Sequence, residues 1–179
     1  MTTKTPNRAD ASARASLPAA RGGHLLVIFV SSMSQAPPAR VLFLCTGNYY
    51  RSRFAEIMFN HMARARGAAH VADSAGLSEE CWRRNRGPLS PHTLAALAAR
   101  GVDPGELRPP RDVCLTDFTS YTLVIAMKDE EHRPMMRARF PQFADRIVYW
   151  AFDDVQDQPP DVILPQIENH VSDLLKQLG

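Results

Sequence analysis

Short apolar runs alternate with polar stretches along most of this chain. Four of the runs have strand length and predict buried β-strands, at residues 41–44, 70–73, 122–127 and 146–150. Between them, apolar residues recur at helical spacing, and helices are expected at residues 52–66, 90–100, 128–139 and 161–178. Ser52 and Asp161 are expected to cap the first and last helices, and Pro134 to kink or delay the third.

The order of these elements indicates the fold class. Strands that alternate with helices favour an α/β protein with a parallel sheet, right-handed crossovers and helices on both faces. We therefore expect a three-layer α/β/α sandwich around a four-stranded parallel sheet. Ligands of such sheets bind at the carboxyl ends of the strands. Cys45, after the first strand, and the acidic loop at 153–160, after the fourth, are expected to face each other there across a crevice.

Cys45 opens the most informative segment, Cys-Thr-Gly-Asn-Tyr-Tyr-Arg-Ser, which joins the first strand to the first helix. Gly47 and Asn48 tolerate the left-handed backbone that a tightly wound loop requires. Such winding turns N–H groups inward, and the helix N-terminus adds its positive dipole end, so that the loop can bind an anion. Cys45 would act there as a thiolate nucleophile, and the Arg51 guanidinium matches phosphate oxygens. The segment therefore predicts phosphate-ester chemistry through a phosphocysteine.

Composition and charge narrow the classes of function. The 179 residues suffice for one domain with a hydrophobic core, and 45% hydrophobic and 22% charged residues are ordinary for a globular protein. A net charge of +2 gives no case for nucleic-acid or membrane binding. The three cysteines include no C-x-x-C pair, so we expect no disulfide framework, no metal and no cofactor. A working Cys45 thiolate needs a reducing compartment, which predicts a cytoplasmic location.

The first part of the chain differs from the rest. Residues 1–23 are rich in Ala, Thr, Ser, Arg and Pro without hydrophobic periodicity, which is typical of disorder. The apolar run at 25–30 could pass for a weak signal-peptide core, but it is much too short to span a bilayer, and export would oxidise the nucleophile. We expect residues 1–39 to be a disordered or mis-assigned extension, with Met33 as the more natural start, and residues 40–179 to form the domain.

Several short motifs resemble those of one known family and occur in the family's order. They lie at residues 45–48 with 51–52, 73–76, 127–132 and 150–154. From about Arg40 to the C-terminus, the chain resembles the low-molecular-weight protein tyrosine phosphatase family. The resemblance implies a low-molecular-weight phosphatase-like domain over 40–179 with a four-stranded parallel sheet between helices, in agreement with the strand count above.

The resemblance also implies catalytic roles. Cys45 is the nucleophile, and Arg51 clamps the transferring phosphoryl group. The general acid, which protonates the leaving oxygen and later activates water, is an aspartate after the fourth strand. The spacing from the tryptophan of that strand indicates Asp154, with Asp153 and then Asp157 as alternatives.

Residues of the loop are implied to hold the substrate. The phosphate- and substrate-binding set is Thr46, Gly47, Asn48, Tyr49, Tyr50 and Ser52. Asn48 and Ser52 are also implied to hold the loop in shape by hydrogen bonding, and Ser74 to support it. A phosphorylated protein or a small phosphate ester is the implied partner, and inorganic phosphate is the product.

Several positions depart from the family's pattern. Tyr50 replaces a second cysteine that in many members traps an oxidised nucleophile as a disulfide, so that protection is not expected here. Proline is usual at the positions of Arg53 and Val155, and a histidine commonly supports the loop asparagine where this chain has Arg108. Tyr49 lies at the pocket mouth, where relatives that act on phosphoarginine carry a small threonine. Its bulk argues against phosphoarginine and favours an aromatic substrate.

The expected function is therefore hydrolysis of phosphotyrosine or small aryl phosphate monoesters, with three alternatives. An arsenate reductase of the same fold would need resolving cysteines after the third strand, where residues 126–129 contain none and only Cys81 could substitute. A catalytically weakened phosphate-binding regulatory protein would explain the altered loop, although every group that the chemistry requires is present. The simplest alternative is that Cys45 is a buried structural cysteine with a surface arginine nearby.

Overall fold

Residues 37–179 are described in the computed structural model, and the predictions for residues 1–36 lie outside that range. Four strands form one parallel sheet in the order β2-β1-β3-β4; they are β1 (Arg40–Cys45), β2 (Val71–Gly76), β3 (Leu123–Ala126) and β4 (Val148–Tyr149). The helices are α1 (Arg51–Ala65), α2 (Cys81–Arg84), α3 (Pro91–Ala98), α4 (Asp117–Ser120), α5 (Asp129–Arg139) and α6 (Pro160–Leu178). None of these helices is long and apolar enough to span a bilayer.

The inner strand β1 shows why the helices form two layers. Val41 and Phe43 point into a core that α1, α3 and α6 cover, whereas Leu42 and Leu44 point into a second core beneath α4 and α5. All four side chains are fully buried, as expected for a parallel strand that is covered on both faces. The predicted three-layer α/β/α sandwich with a four-stranded parallel sheet is confirmed.

The strand bounds differ from the prediction. β2 continues to Gly76, because Ser74 and the residues after it still pair with β1. Ser74 and Gly76 interrupt the apolar pattern, so this half of the strand was not predicted. β4 has two residues instead of five, because pairing with β3 is limited to Ile125 and Ala126.

Two expected helix caps are wrong. α1 begins at Arg51, so Ser52 lies inside its first turn and its hydroxyl does not cap the helix. α6 begins at Pro160, and Asp161 stands in its first turn without a capping hydrogen bond. Proline suits this start, because the N–H that it lacks would have no partner within the helix. α5 spans the predicted segment with Pro134 inside it.

Candidate active site

The Cys45 loop joins the carboxyl end of β1 to α1. Cys45 is 3% exposed, and its Sγ lies 3.0 Å from the Ser52 Oγ. Asn48 adopts the expected left-handed conformation, with φ of 48°. Gly47 serves a different purpose from the one predicted: a Cβ there would approach the Asn85 Nδ2 to 3.0 Å, and this amide donates to the Gly47 carbonyl at 2.9 Å. The glycine therefore admits a neighbouring side chain that holds the loop.

The Arg51 guanidinium is only 1% exposed and is shared between two carboxylates. Nη1 donates to Glu131 Oε2 at 2.8 Å and to the Phe152 carbonyl at 3.0 Å. Nη2 donates to Glu131 Oε1 at 3.1 Å and to Asp154 Oδ2 at 2.7 Å. The buried Nε has no hydrogen-bond partner. The edge formed by Nε and Nη2 is therefore the one that a phosphoryl group could occupy.

Glu131 is the main site residue that the sequence prediction missed. Burial alone would raise the pKa of Glu131, but hydrogen bonds from His132 and Arg51 outweigh burial and hold the pKa well below the usual range. The His132 ring is fully buried, and its Nδ1 accepts from the Lys128 N–H at 2.9 Å. In the neutral ring, Nε2 then carries the proton, and it lies 3.3 Å from the Thr46 Oγ1. The signal for these residues was their place in the first turn after β3, at the same sheet edge as Cys45.

The aspartates of the loop after β4 have different partners. Asp154 reaches Arg51 through Oδ2, and its Oδ1 accepts from the Val155 N–H at 2.7 Å. The Asp153 carboxylate accepts from the Lys128 ammonium, and the Asp157 Oδ2 lies 3.8 Å from the same nitrogen. Of the three candidates for the general acid, the structure thus brings Asp154 to Arg51 and the other two to Lys128.

The side of the loop that faces away from the sulfur is held by Asn48. Its Nδ2 donates to Ser52 Oγ at 3.2 Å and to Ser74 Oγ at 2.7 Å. Its Oδ1 accepts from Arg108 Nη1 at 3.1 Å and from the Arg111 N–H at 3.0 Å. The amide therefore uses both its donors and its acceptor to hold the left-handed turn. Ser74, for which the resemblance implied a supporting role, makes its contact with Asn48 from β2.

Arg108 extends this network to buried acids. Its Nη2 contacts Asp73 Oδ1 at 2.6 Å and Glu56 Oε2 at 3.0 Å. Arg53, which is 2% exposed, forms an ion pair with the same carboxylate, with its Nη1 3.1 Å from Glu56 Oε2. Burial raises the pKa of Glu56 despite the two arginines, whereas the pKa of Asp73 is lowered because Arg108 and the Ser74 N–H outweigh its burial. Two of the unusual residues, Arg53 and Arg108, thus lie together behind the loop.

A cavity of about 400 Å³ opens in front of the loop. Of the predicted site residues, those that line it are Cys45, Thr46, Gly47, Tyr49, Tyr50, Arg51 and Asp154. Asn48, Ser52 and Ser74 are not among the lining residues, and their side chains are fully buried behind the loop. The Tyr49 hydroxyl donates to the Arg86 carbonyl, which fixes this ring at the cavity wall.

The remaining thiols and potential metal ligands offer little further chemistry. Cys81 is buried, and burial raises the pKa of its thiol to about 12, which disfavours a thiolate. Cys114 is exposed. Within residues 37–179, no group of three or more His, Cys, Asp or Glu side chains is arranged to hold a metal ion.

Comparison with known proteins connects this site to one family. Residues 40–159 match the family described as low molecular weight phosphotyrosine protein phosphatase. The chain is 27% identical to the protein-arginine-phosphatase of Bacillus subtilis (strain 168) over 148 residues, which cover 78% of this chain and 93% of that protein. It is 35% identical to the low molecular weight protein-tyrosine-phosphatase of Streptomyces coelicolor over 108 residues, or 59% of this chain and 62% of the relative. The crystal structure of the low molecular weight protein tyrosine phosphatase from T. tengcongensis matches with a TM-score of 0.65 at 26% identity, covering 78% of this chain and 99% of that one.

Proposed function

Because this chain belongs to the low molecular weight phosphotyrosine protein phosphatase family and is a phosphoric monoester hydrolase, we propose that it hydrolyses phosphotyrosine or small aryl phosphates through a phosphocysteine on Cys45. The observation that carries this proposal is the arrangement of hydrogen bonds around the Arg51 guanidinium. Its buried guanidinium lines the same cavity as Cys45, with an unpartnered Nε and with Asp154 on Nη2. Such an edge can bind two phosphoryl oxygens in parallel.

The first chemical step forms the covalent intermediate. The Cys45 thiolate attacks phosphorus, a sulfur–phosphorus bond forms, and the bond to the leaving oxygen breaks as Asp154 gives that oxygen its proton. The loop N–H groups and Arg51 stabilise the charge on the phosphoryl oxygens in the transition state. The Ser52 hydroxyl, 3.0 Å from the sulfur, donates a hydrogen bond to the thiolate before attack and after release.

The second step hydrolyses the intermediate. A water molecule attacks phosphorus and loses a proton to the Asp154 carboxylate. The sulfur–phosphorus bond breaks, the Cys45 thiolate is restored, and inorganic phosphate leaves. One carboxyl group thus gives a proton in the first step and takes one back in the second.

Asp154 changes partner during this cycle. In the structure, its Oδ2 accepts a hydrogen bond from the Nη2 of Arg51, at the position of a phosphoryl oxygen in the proposed complex. The substrate therefore displaces the carboxyl group from Arg51 and leaves it beside the ester oxygen. Glu131 keeps its own two contacts with Arg51, so the guanidinium stays in place while Asp154 moves.

We propose an aryl substrate in preference to phosphoarginine. Support comes from Tyr49, whose ring stands in the cavity wall and is tied to the Arg86 carbonyl. A rigid ring there can contact a phenyl group but narrows the entry for a guanidinium chain. The measurement is kcat/KM on matched phosphotyrosine and phosphoarginine peptides. Tyr49→Thr should shift the ratio towards phosphoarginine, and a wild-type preference for phosphoarginine would contradict the proposal.

Steady-state hydrolysis of an aryl phosphate tests the reaction itself. Turnover that is lost in Cys45→Ser and strongly reduced in Asp154→Asn supports the phosphatase. Thioredoxin-coupled arsenate turnover would support the reductase, although the buried Cys81 is poorly suited as its resolving thiol. Tight vanadate or phosphate binding without turnover would support a binding protein. We also propose a cytoplasmic location, because the free Cys45 thiol needs a reducing compartment.

A further inference from the structure

The Tyr50 hydroxyl is buried without a hydrogen-bond partner. The residue is 7% exposed, and its hydroxyl is one of three buried side-chain atoms within residues 37–179 that lack a partner. A buried polar group of this kind costs stability, and such groups in folded proteins require an explanation. Packing does not provide one. The ring belongs to the core that α1, α3 and α6 cover, where a phenylalanine would fill the same space without the cost.

The position of Tyr50 offers a functional explanation. It lies immediately before Arg51 and lines the cavity together with Cys45 and Asp154. The charged and titratable groups around it come from three further elements: Asp154 from the loop after β4, Asp161 from α6, and His92 from α3, whose ring meets the Tyr50 ring edge-on at 6.1 Å between centroids.

The ionisation of Tyr50 favours a role as a hydrogen-bond donor. Burial, and after it the negative charge of Asp154, raise the pKa of Tyr50 to about 12. The hydroxyl therefore keeps its proton throughout the working pH range. A neutral phenol hydroxyl can donate a hydrogen bond to a carboxyl group, and Tyr50 and Asp154 line the same cavity.

We propose that the Tyr50 hydroxyl takes the place of Arg51 as the side-chain partner of Asp154 and holds its carboxyl group in position during catalysis. This inference rests on the proposed phosphatase function. In the structure, Asp154 accepts from Arg51 through Oδ2 and from the Val155 N–H through Oδ1. Once a phosphate ester occupies Arg51, the displaced carboxyl group keeps only the Val155 N–H as a donor, and the unpartnered hydroxyl of Tyr50 is available in the same cavity. Tyr50 binds one carboxyl oxygen and leaves the other to exchange the proton with the leaving oxygen and then with water. Tyr50 is thus a positioning residue for the general acid.

Tyr50→Phe tests the proposal, because it removes the hydroxyl and keeps the ring. We expect kcat to fall about tenfold, the scale of one lost hydrogen bond, while KM stays within about twofold and the unfolding midpoint rises or stays unchanged. The limb of the kcat–pH profile that depends on Asp154 should shift. The loss should be larger for aryl phosphates with poor leaving groups, which depend more on the acid.

A double-mutant cycle separates positioning from packing. In the Asp154→Asn background, Tyr50→Phe should cause no further loss, because the two side chains act as one unit. Tyr149→Phe is the matched control, since its hydroxyl bonds the Ala144 carbonyl at 2.7 Å, outside the lining of the cavity, and its kinetics should equal those of the wild type.

The outcomes distinguish this inference from the proposed function. Wild-type kcat and pH profile in Tyr50→Phe, or an equal loss in the Asp154→Asn background, would overturn the role of Tyr50 while leaving a Cys45-dependent phosphatase intact. A wild-type enzyme without turnover, or turnover that survives Cys45→Ser, would overturn both.

Discussion

The two sides of the Cys45 loop each carry an arginine, and the two arginines are bound in opposite ways. Arg51, in front, is 1% exposed, yet its Nε has no partner and one of its carboxylates belongs to a loop. Arg108, behind, is 30% exposed, yet its Nη groups contact Asn48, Glu56 and Asp73 at once. The front is suited to exchanging an acid for a phosphoryl group. The rear is suited to keeping the backbone in one conformation.

This contrast bears on how the loop can work despite its unusual residues. Cys45, Arg51 and Asp154, which would meet phosphate, follow the family's pattern. The residues that depart from it are divided between the cavity wall (Tyr49, Tyr50 and Val155) and the supporting layer (Arg53 and Arg108). Arg108 carries a permanent charge and several donors, so its contacts persist over the whole pH range in which a histidine would titrate. We therefore expect substitutions in front to affect chemistry, and substitutions behind to affect both stability and chemistry.

The largest effect is expected at the front, in Asp154→Asn. The amide cannot give or take the proton, so kcat should fall by about 10²–10⁴-fold, while the free energy of unfolding changes little because the side chain is partly exposed. Asp153→Asn is the matched control, since Asp153 pairs with Lys128 instead of Arg51. Steady-state assays measure kcat, and denaturant unfolding measures the free energy of unfolding, for both variants. A greater loss in Asp153→Asn than in Asp154→Asn would reverse the assignment.

A smaller effect on catalysis, accompanied by a loss of stability, is expected behind the loop in Arg108→Met. Loss of the guanidinium leaves Glu56 and Asp73 with fewer partners and Asn48 without one of its donors. We expect the free energy of unfolding to fall by about 2 kcal/mol and kcat/KM by about 10–100-fold. Arg108→Lys should be intermediate, because it keeps the charge without the planar fork.

Arg66→Met is the control for Arg108, because Arg66 bonds Ser172 on the surface, away from the loop. Arg66→Met should change neither the free energy of unfolding nor kcat/KM measurably. Unchanged stability and kcat/KM in Arg108→Met would show that the rear network does not support the loop.

The smallest effect is expected in the pH dependence of stability, through Glu131. Because its pKa is depressed in the folded state, Glu131 stabilises the protein above the ordinary glutamate pKa of about 4.3, and this contribution is lost as the pH falls. Between about pH 6 and pH 3, the wild type should lose about 1 kcal/mol more stability than Glu131→Gln. Urea unfolding at several pH values measures this. Glu130→Gln, at an exposed position on the same helix, should behave like the wild type; parallel curves for Glu131→Gln and the wild type would contradict the expectation.

The sequence predicted the parts of the fold and site that depend on local pattern. Strand–helix alternation was enough for the sheet and its layers, because a parallel sheet needs helical crossovers. Cys45 and Arg51 could be proposed as site residues because strand, loop and helix follow one another directly. The resemblance, with the spacing from the tryptophan of the fourth strand, indicated Asp154, and the structure brings it to Arg51 across 103 residues of sequence.

What the sequence did not predict depends on side chains that meet across the fold. Glu131 and Arg51 are separated by 80 residues of sequence, and no hydrophobic periodicity indicates a contact between two such side chains. Ser52 was taken for a helix cap because serine favours that position, but its hydroxyl lies against the Cys45 sulfur instead. The second half of β2 was missed because it begins with Ser74, a polar residue that is stabilised by partners behind the loop. In each case a tertiary contact outweighed a local preference.

Detection of the covalent intermediate tests the central claim most directly. Asp154→Asn is mixed with an aryl phosphate, quenched in acid during turnover, and examined by intact-protein and peptide mass spectrometry. The mechanism predicts a phosphoryl adduct on the Cys45 peptide, because the variant is slow to activate the water that would remove it, and no adduct when Cys45 is replaced by alanine. Phosphate release without an adduct on Cys45, or an adduct on another residue, would contradict it.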